Sequence, residues 1–175
     1  EIDFSHLRLS IGDGSAVIET TSQNWKDLTG KHISEGYGMS ETAPVLTAVP
    51  IDVSEFTGSC GLPLPSTDII LLDETGTVAA VGERGEISAK GPQVMAGYWN
   101  KPDANAEAFT AEGYFRTGDI GVFDEAGFLR IVDRKKDMIN VSGFNVFPNE
   151  IEAVITACAG VIECACIGVP DDKTG

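Results

Sequence analysis

GYGMSETAP, residues 36–44, sets two glycines, an aromatic ring, a thioether, a hydroxyl and a carboxylate in six consecutive positions and then closes on a proline. Gly36 and Gly38 weaken a helix or strand interior, because glycine loses the most backbone freedom on folding. Pro44 has no N–H to donate and ends a regular element. The stretch therefore reads as the end of a strand running into a loop. A flat ring, a backbone that permits close approach, a hydroxyl and an acid side by side are the groups that a nucleotide with its metal ion would use.

Working outward, HLRLSIG (6–12) alternates and predicts a strand ending at Gly12. SAVIETTSQNWKDLTG (15–30) predicts a helix with Ser15 as N-cap and Gly30 as its stop. HISEGYG (32–38) is a second short strand, so residues 1–55 read as the end of an α/β unit. From about residue 56 turn signals multiply. LLDETGTV (71–78) and VFDEAGFLRIVDR (122–134) predict hairpins turning at Gly76 and Gly127. VGERGEISAKG (81–91) predicts a turn at 83–85 and a strand at 86–90, and KPDANAEAFT (101–110) predicts a short helix with Pro102 in its first turn. Residues 56–135 are thus expected to form a small antiparallel, barrel-like subdomain carrying one helix.

After Arg134 the texture changes again. DMINVSGFNVF (137–147) predicts a strand, a tight turn at Gly143 and a return strand. PNEIEAVITACAG (148–160) predicts a helix with Pro148 near its first position and Gly160 beyond its end. Ile151, Val154, Ile155 and Cys158 form an apolar stripe on it. VIECACIGV (161–169) predicts a buried strand, with Cys158, Cys164 and Cys166 as small core residues. A strand with one helix is not an independent unit, so residues 136–175 are expected to be the start of a truncated α+β domain.

Composition narrows the function classes. Apolar content is 42%, enough for a buried core. The net charge of −15 argues against nucleic acid as a partner. Arg130, Arg134, Lys135 and Lys136 nevertheless concentrate a third of the 12 basic residues, and a local cluster of this kind can hold a small anion. The four cysteines form no CxxC pair, which speaks against zinc and for a reducing compartment. No GxxxxGK[ST] loop is present, and Glu41 stands where the GxGxxG fingerprint requires glycine. Neither histidine lies in a hydrolase-triad context. Chemistry here must come from positioning and charge stabilisation.

GYGMSE (36–41), GEISAKGPQVMAGYWNKP (85–102), GYFRTGD (113–119), DRKKD (133–137) and INVSGFNVFPNEIE (139–152) occur in an order and spacing that resemble the adenylate-forming superfamily of acyl-CoA synthetases, luciferases and peptide-synthetase adenylation domains. KGPQVMAGYWNKPDA and GFLRIVDRKKDMINVSGFNVFPNEIE look most like bacterial long-chain fatty acyl-CoA synthetases. The resemblance implies a two-step reaction: ATP and Mg²⁺ activate a fatty acid as an acyl adenylate, and coenzyme A then takes the acyl group. It implies that Gly36, Tyr37, Gly38 and Met39 form the adenine wall, with Tyr37 stacking on the base. It implies that Ser40 contacts the α-phosphate, that Glu41 binds Mg²⁺, and that Asp119 and Arg134 hold the ribose. Asn145 would reach a phosphate, and Val141, Ser142 and Gly143 would line the pantetheine path. Lys136 falls at the hinge about which the C-terminal domain rotates.

Alternatives at this level are a ligase for an aryl, medium-chain or amino acid, or a non-catalytic nucleotide-binding module of the same fold. SIGDGSAV (10–17) departs from the family in carrying Asp13 where a small residue is expected beside adenine. The family's phosphate loop and adenylation lysine are expected outside these residues, so the chain reads as an internal segment, inactive alone. A cytoplasmic location is implied, with peripheral membrane attachment an option for enzymes of lipid substrates; oligomeric state is not readable.

Overall fold

The computed structural model describes residues 2–174. Strand β1 (Ser10–Gly12), helix α1 (Glu19–Thr29) and strand β2 (Ile33–Gly38) follow the expected order, and β1 pairs in parallel with β2. The helix starts three residues later than its sequence predicts. The Val17 amide donates to the Glu35 carboxylate at 3.3 Å, and Ile18 is extended, so Ser15 caps nothing. Gly30 stops α1 as expected, in the left-handed region at φ 74°. Trp25 pins the helix to β1 by donating its indole N–H to Ser10 Oγ at 2.8 Å.

Strands β3 (Val45–Ala48) and β4 (Leu62–Pro63) add antiparallel to complete a four-stranded sheet in the order β1-β2-β3-β4. A second sheet follows from β5 (Asp68–Leu72), β6 (Arg84–Lys90), β7 (Phe115–Phe123) and β8 (Leu129–Arg134), antiparallel throughout and in chain order. Helix α2 (Pro102–Ala108) lies against β7, with proline in its first turn as expected. The expected barrel does not close: the second sheet is open, with β5 and β8 at its edges.

The two sheets share one core. Tyr37 and Leu46 from the first meet Leu71, Ile87, Ala89 and Leu129 from the second, with Cys60 between them. Strand β6 lies in the interior of its sheet, and Gly85–Ala89 are all buried. Side chains alternate along a strand, so Ile87 and Ala89 face this core while Glu86 faces the other way. There Glu86 accepts from Arg116 Nη1 at 3.0 Å and from Lys135 Nζ at 2.9 Å. Part of the basic cluster is therefore structural.

Chain direction changes at a turn spanning residues 135–137, which contains Lys136, where the family resemblance implies a hinge. Beyond it, β9 (Ile139–Val141) and β10 (Phe144–Val146) form the expected hairpin. Ser142 at φ 53° and Gly143 at φ 86° give its two-residue turn the positive angles that a tight hairpin needs. Helix α3 (Pro148–Thr156) comes next.

Three expectations for this last region fail. Residues 161–169 form no strand: no described strand pairs with them, and Ile162, Ile167 and Val169 are exposed. The stripe of α3 is also largely uncovered, with Ile151, Val154 and Ile155 exposed. Cys158 is exposed and Cys164 and Cys166 are half-buried, so the one buried cysteine among the described residues is Cys60. No helix among the described residues is long and apolar enough to cross a membrane.

Glu86 is nearly inaccessible while both its cations are partly solvated. Glu86→Ala would strip both of their carboxylate. Hydrogen bonds to charged groups contribute about 1.5–3 kcal/mol each, less where solvent screens them. We expect a loss of roughly 2 kcal/mol in urea denaturation, with Glu86→Gln losing less.

Candidate functional site

The loop after β2 is shaped by its own backbone. Gly38 packs so closely on Pro44 that a Cβ there would lie 1.6 Å from the proline carbonyl oxygen. Its glycine is thus required by the loop's fold, a constraint separate from the nucleotide approach that the family resemblance implies. Thr42, fully buried, staples the loop: its hydroxyl donates to the Pro44 carbonyl at 2.8 Å and accepts from the Met39 amide at 3.0 Å. Ser40–Thr42 form one 3-10 turn, and the Ala43–Pro44 peptide is cis.

A cleft of about 1130 Å³ opens between this loop, the ends of β7 and β8, and the first turns of α3. Gly36, Tyr37, Gly38 and Met39 line one side, Asp119, Arg134 and Lys136 another. The structure thus brings together residues that lie far apart in the chain. Asp119 and Arg134 stand directly opposite each other in the β7–β8 register. Arg134 is exposed and makes no ion pair within 4.0 Å among the described residues, with Asp133 and Asp137 included.

Tyr37 is 6% exposed and belongs to the core, with its hydroxyl donating to Asp119 Oδ2 at 2.7 Å. It is at once a core tyrosine and a cleft residue. Burial, and then the charge of Asp119, hold its hydroxyl well above the usual tyrosine range. Asp119 is itself pushed above the usual aspartate range. Burial is the larger cause, opposed by the Tyr37 hydroxyl and by the charges of Arg134 and Lys136. With Oδ2 engaged, Oδ1 has no hydrogen-bond donor among the described residues and can accept from a ligand hydroxyl. Thr117 sets the geometry of Asp119 by accepting its amide at 3.2 Å while donating to the Ile87 carbonyl at 2.9 Å.

Ser40 and Glu41 lie just outside the cleft lining, on the 3-10 turn. Glu41 accepts from the Tyr98 hydroxyl at 3.0 Å, and its carbonyl accepts from the Met95 amide at 2.8 Å, so the segment around residue 95 orients it. Asn145 stands away from the cleft and donates to Glu74. Val141, Ser142 and Gly143 are likewise outside it, with Val141 lining a neighbouring hollow of about 680 Å³. Asp13 sits at the cleft mouth, exposed, accepting the Gly14 amide at 2.7 Å.

Sequence reasoning missed Thr42, Tyr98, Thr117 and Asp133. Asp133 is 3% exposed and accepts the backbone amides of Arg134 (2.8 Å) and Asn149 (3.0 Å), tying β8 to the start of α3. A sequence signal existed only for Asp133, an acid in the DRKKD run at the end of a predicted strand.

An open α/β sheet packed on an antiparallel sheet, with an aromatic, a carboxylate and an arginine around one cleft, defines a nucleotide-binding class of fold. A family model described as AMP-binding enzyme matches residues 1–99, and the chain belongs to this family of adenylate-forming enzymes. It is 53% identical over 174 residues to the long-chain-fatty-acid–CoA ligase of Yersinia pestis, covering 99% of this chain and 31% of that protein. It is 41% identical over 174 residues to a feruloyl-CoA synthase of Amycolatopsis, covering 99% of this chain and 35% of that one. The structure of ATP-bound MatB from Rhodopseudomonas palustris overlays with a TM-score of 0.90 at 40% identity, over 97% of this chain and 34% of that one. The chain spans about a third of the length of these relatives.

Gly38→Ala would force the loop away from Pro44, and we expect a loss of more than about 3 kcal/mol on thermal or urea unfolding. Asp119→Asn tests the desolvated carboxylate. A carboxyl whose folded pKa is raised contributes stability below its unfolded pKa, and this is lost as pH rises through the folded value. Asn removes the charge, so the variant should be the more stable protein at neutral pH. The difference should vanish below the ordinary aspartate range, as read by melting curves across pH.

Proposed function

We propose that this chain is a segment of an ATP-dependent long-chain fatty acid–CoA ligase, and that its cleft is the adenylate site. The observation that carries the reading is the Tyr37–Asp119 pair with Arg134 beside Asp119 on the neighbouring strand, all lining one cleft, in a chain half identical to enzymes so named. In the first step a fatty-acid carboxylate oxygen attacks the α-phosphorus of ATP, the bond to the β-phosphate breaks, and pyrophosphate leaves. In the second, the thiol of coenzyme A attacks the acyl carbon and AMP departs. Neither step needs an enzyme nucleophile, in keeping with the missing triad.

In this reading Gly36, Tyr37, Gly38 and Met39 wall the adenine, and Asp119 accepts from the ribose hydroxyls. Arg134 places its fork of donors on the ribose and phosphate, and the Ser40 hydroxyl faces the α-phosphate. Glu41 fits a magnesium ligand: it is partly exposed, its one described side-chain partner is a neutral phenol, and Mg²⁺ bound to phosphates needs few carboxylates. The ion would neutralise phosphate charge. Residues 1–55 and 56–135 form two parts of the N-terminal domain, and 136–175 open a mobile domain hinged at Lys136. Rotation there would carry Asn145 to the phosphates and Val141, Ser142 and Gly143 to the pantetheine path.

The feruloyl-CoA synthase relative supports a second reading, an aryl acid as substrate. The full-length protein decides between them. Long-chain acids should support ATP–pyrophosphate exchange and acyl-CoA formation, and Asp119→Ala should raise the KM for ATP at least tenfold, a loss of about 1.4 kcal/mol of binding. Turnover with aryl acids alone would establish the second reading, and no exchange with any acid would leave a binding module.

A further inference from the structure

Residues on either side of Lys136 touch at contacts that the adenylate chemistry does not use. Arg84, at the start of β6, forms a two-pronged ion pair with Glu150 in the first turn of α3, at 2.6 and 3.3 Å. The same guanidinium lies 4.8 Å from the centre of the Phe147 ring, just before the helix. Nearby, Glu74 in the β5–β6 connection accepts from Asn145. Arg84 thus grips the far side of the turn by both charge and aromatic face.

The near side of the turn is held differently. Lys135 is bound by its amide to the Gly118 carbonyl at 2.8 Å and by its ammonium to buried Glu86. The chain is therefore anchored up to Lys135, while Arg84 holds the segment beyond Lys136. Asp133, on the anchored side, receives the Asn149 amide and sets where α3 begins. In this arrangement the β9–β10 hairpin, carrying Val141, Ser142 and Gly143, lies outside the adenylate cleft, whereas Asn149, Glu152, Ala153 and Thr156 of α3 line it.

We propose that Arg84 is a positioning residue, a latch that holds the region after Lys136 in the pose that serves adenylation and must release before thioester formation. The latch rests on Lys136 being the hinge. The pair suits release: both side chains are about half exposed, at 46% and 51%. An exposed pair of this kind shifts an equilibrium by only about two- to fivefold. A buried pair would lock the domain.

The test uses the full-length protein and separates the two half-reactions. Pyrophosphate exchange reports adenylation, and single-turnover transfer from preformed acyl adenylate to coenzyme A reports the second step. Arg84→Ala and Glu150→Ala should each lower the ratio of adenylation to transfer by roughly two- to fivefold, and the double variant should lower it no further. The exchanged pair Arg84→Glu with Glu150→Arg should restore it, which a merely structural role would not predict. Raising salt should lower the ratio in the native protein and leave it unmoved in Arg84→Ala. This salt arm stands even if Arg84→Ala folds poorly, with Arg84→Gln as the replacement. Lys136→Pro separates the two layers. If it alters the ratio while the Arg84 variants and salt do not, the hinge stands and the latch is wrong. If it leaves the ratio unchanged, the hinge reading fails and takes the latch with it.

Discussion

The hydrogen bond from Tyr37 to Asp119, 2.7 Å long and spanning 82 residues of sequence, joins the two sheets at the point where the cleft opens. On one side of it the Tyr37 ring is packed among Leu46, Cys60, Ile87 and Leu129. On the other, Asp119 stands across from Arg134 on the neighbouring strand. The bond requires β2 to end at the level of β7, which requires the loop beyond Gly38 to fold back tightly on itself. That in turn requires a glycine under the Pro44 carbonyl and a buried threonine two residues before the proline. The loop is rigid for reasons internal to it, and a ligand wall can rest on it.

The site is costly despite this bond, because burial outweighs it. Asp119 is partly desolvated, and its two nearby cations do not fully offset the burial. Arg134 is near enough to lower the carboxylate's pKa, yet pairs with no acid within 4.0 Å among the described residues. A fold selected for stability alone would pair these charges or replace them. Keeping an under-solvated acid beside an uncommitted guanidinium is how binding sites commonly depart from the stability optimum. Glu86 offers the contrast within the same sheet: buried more deeply, it is satisfied by two cations and faces away from the core.

Much of this was legible in the residues, where local chemistry dictates local geometry. Gly30, Gly76, Gly127 and Gly143 mark turns or ends because each needs a positive φ, and each adopts one. The helix at Pro148 was readable from its first-turn residues. What was not readable depended on partners distant in sequence. Ser15 is a good cap by type, but Glu35 takes the Val17 amide and Ile18 is extended, so α1 begins later. The apolar run 161–169 has the composition of a strand, yet a strand exists only where another edge receives its N–H and C=O groups. The candidate site residues came from ordered motifs. Thr42 and Thr117, which hold them in place, belong to no pattern of charge or period and emerge only from their contacts.

The turn at 135–137 unites these themes. Before it, Lys135 is held by a buried carboxylate and a strand carbonyl; after it, the contacts back to the second sheet include a surface ion pair, an amide–carboxylate bond and a ring under a guanidinium. Interactions of this second kind are individually weak because water competes for every group in them. Asp133 is the exception, buried and committed to the start of α3, and it lies three residues before Lys136. A rotation at Lys136 would have to break that amide bond to Asp133 along with the outer contacts. The carboxylate would stay on its strand, and the helix would lose a neutralising partner at its positive end. Resistance to such a rotation would be concentrated at one buried acid three residues before Lys136, with the outer contacts biasing it more weakly.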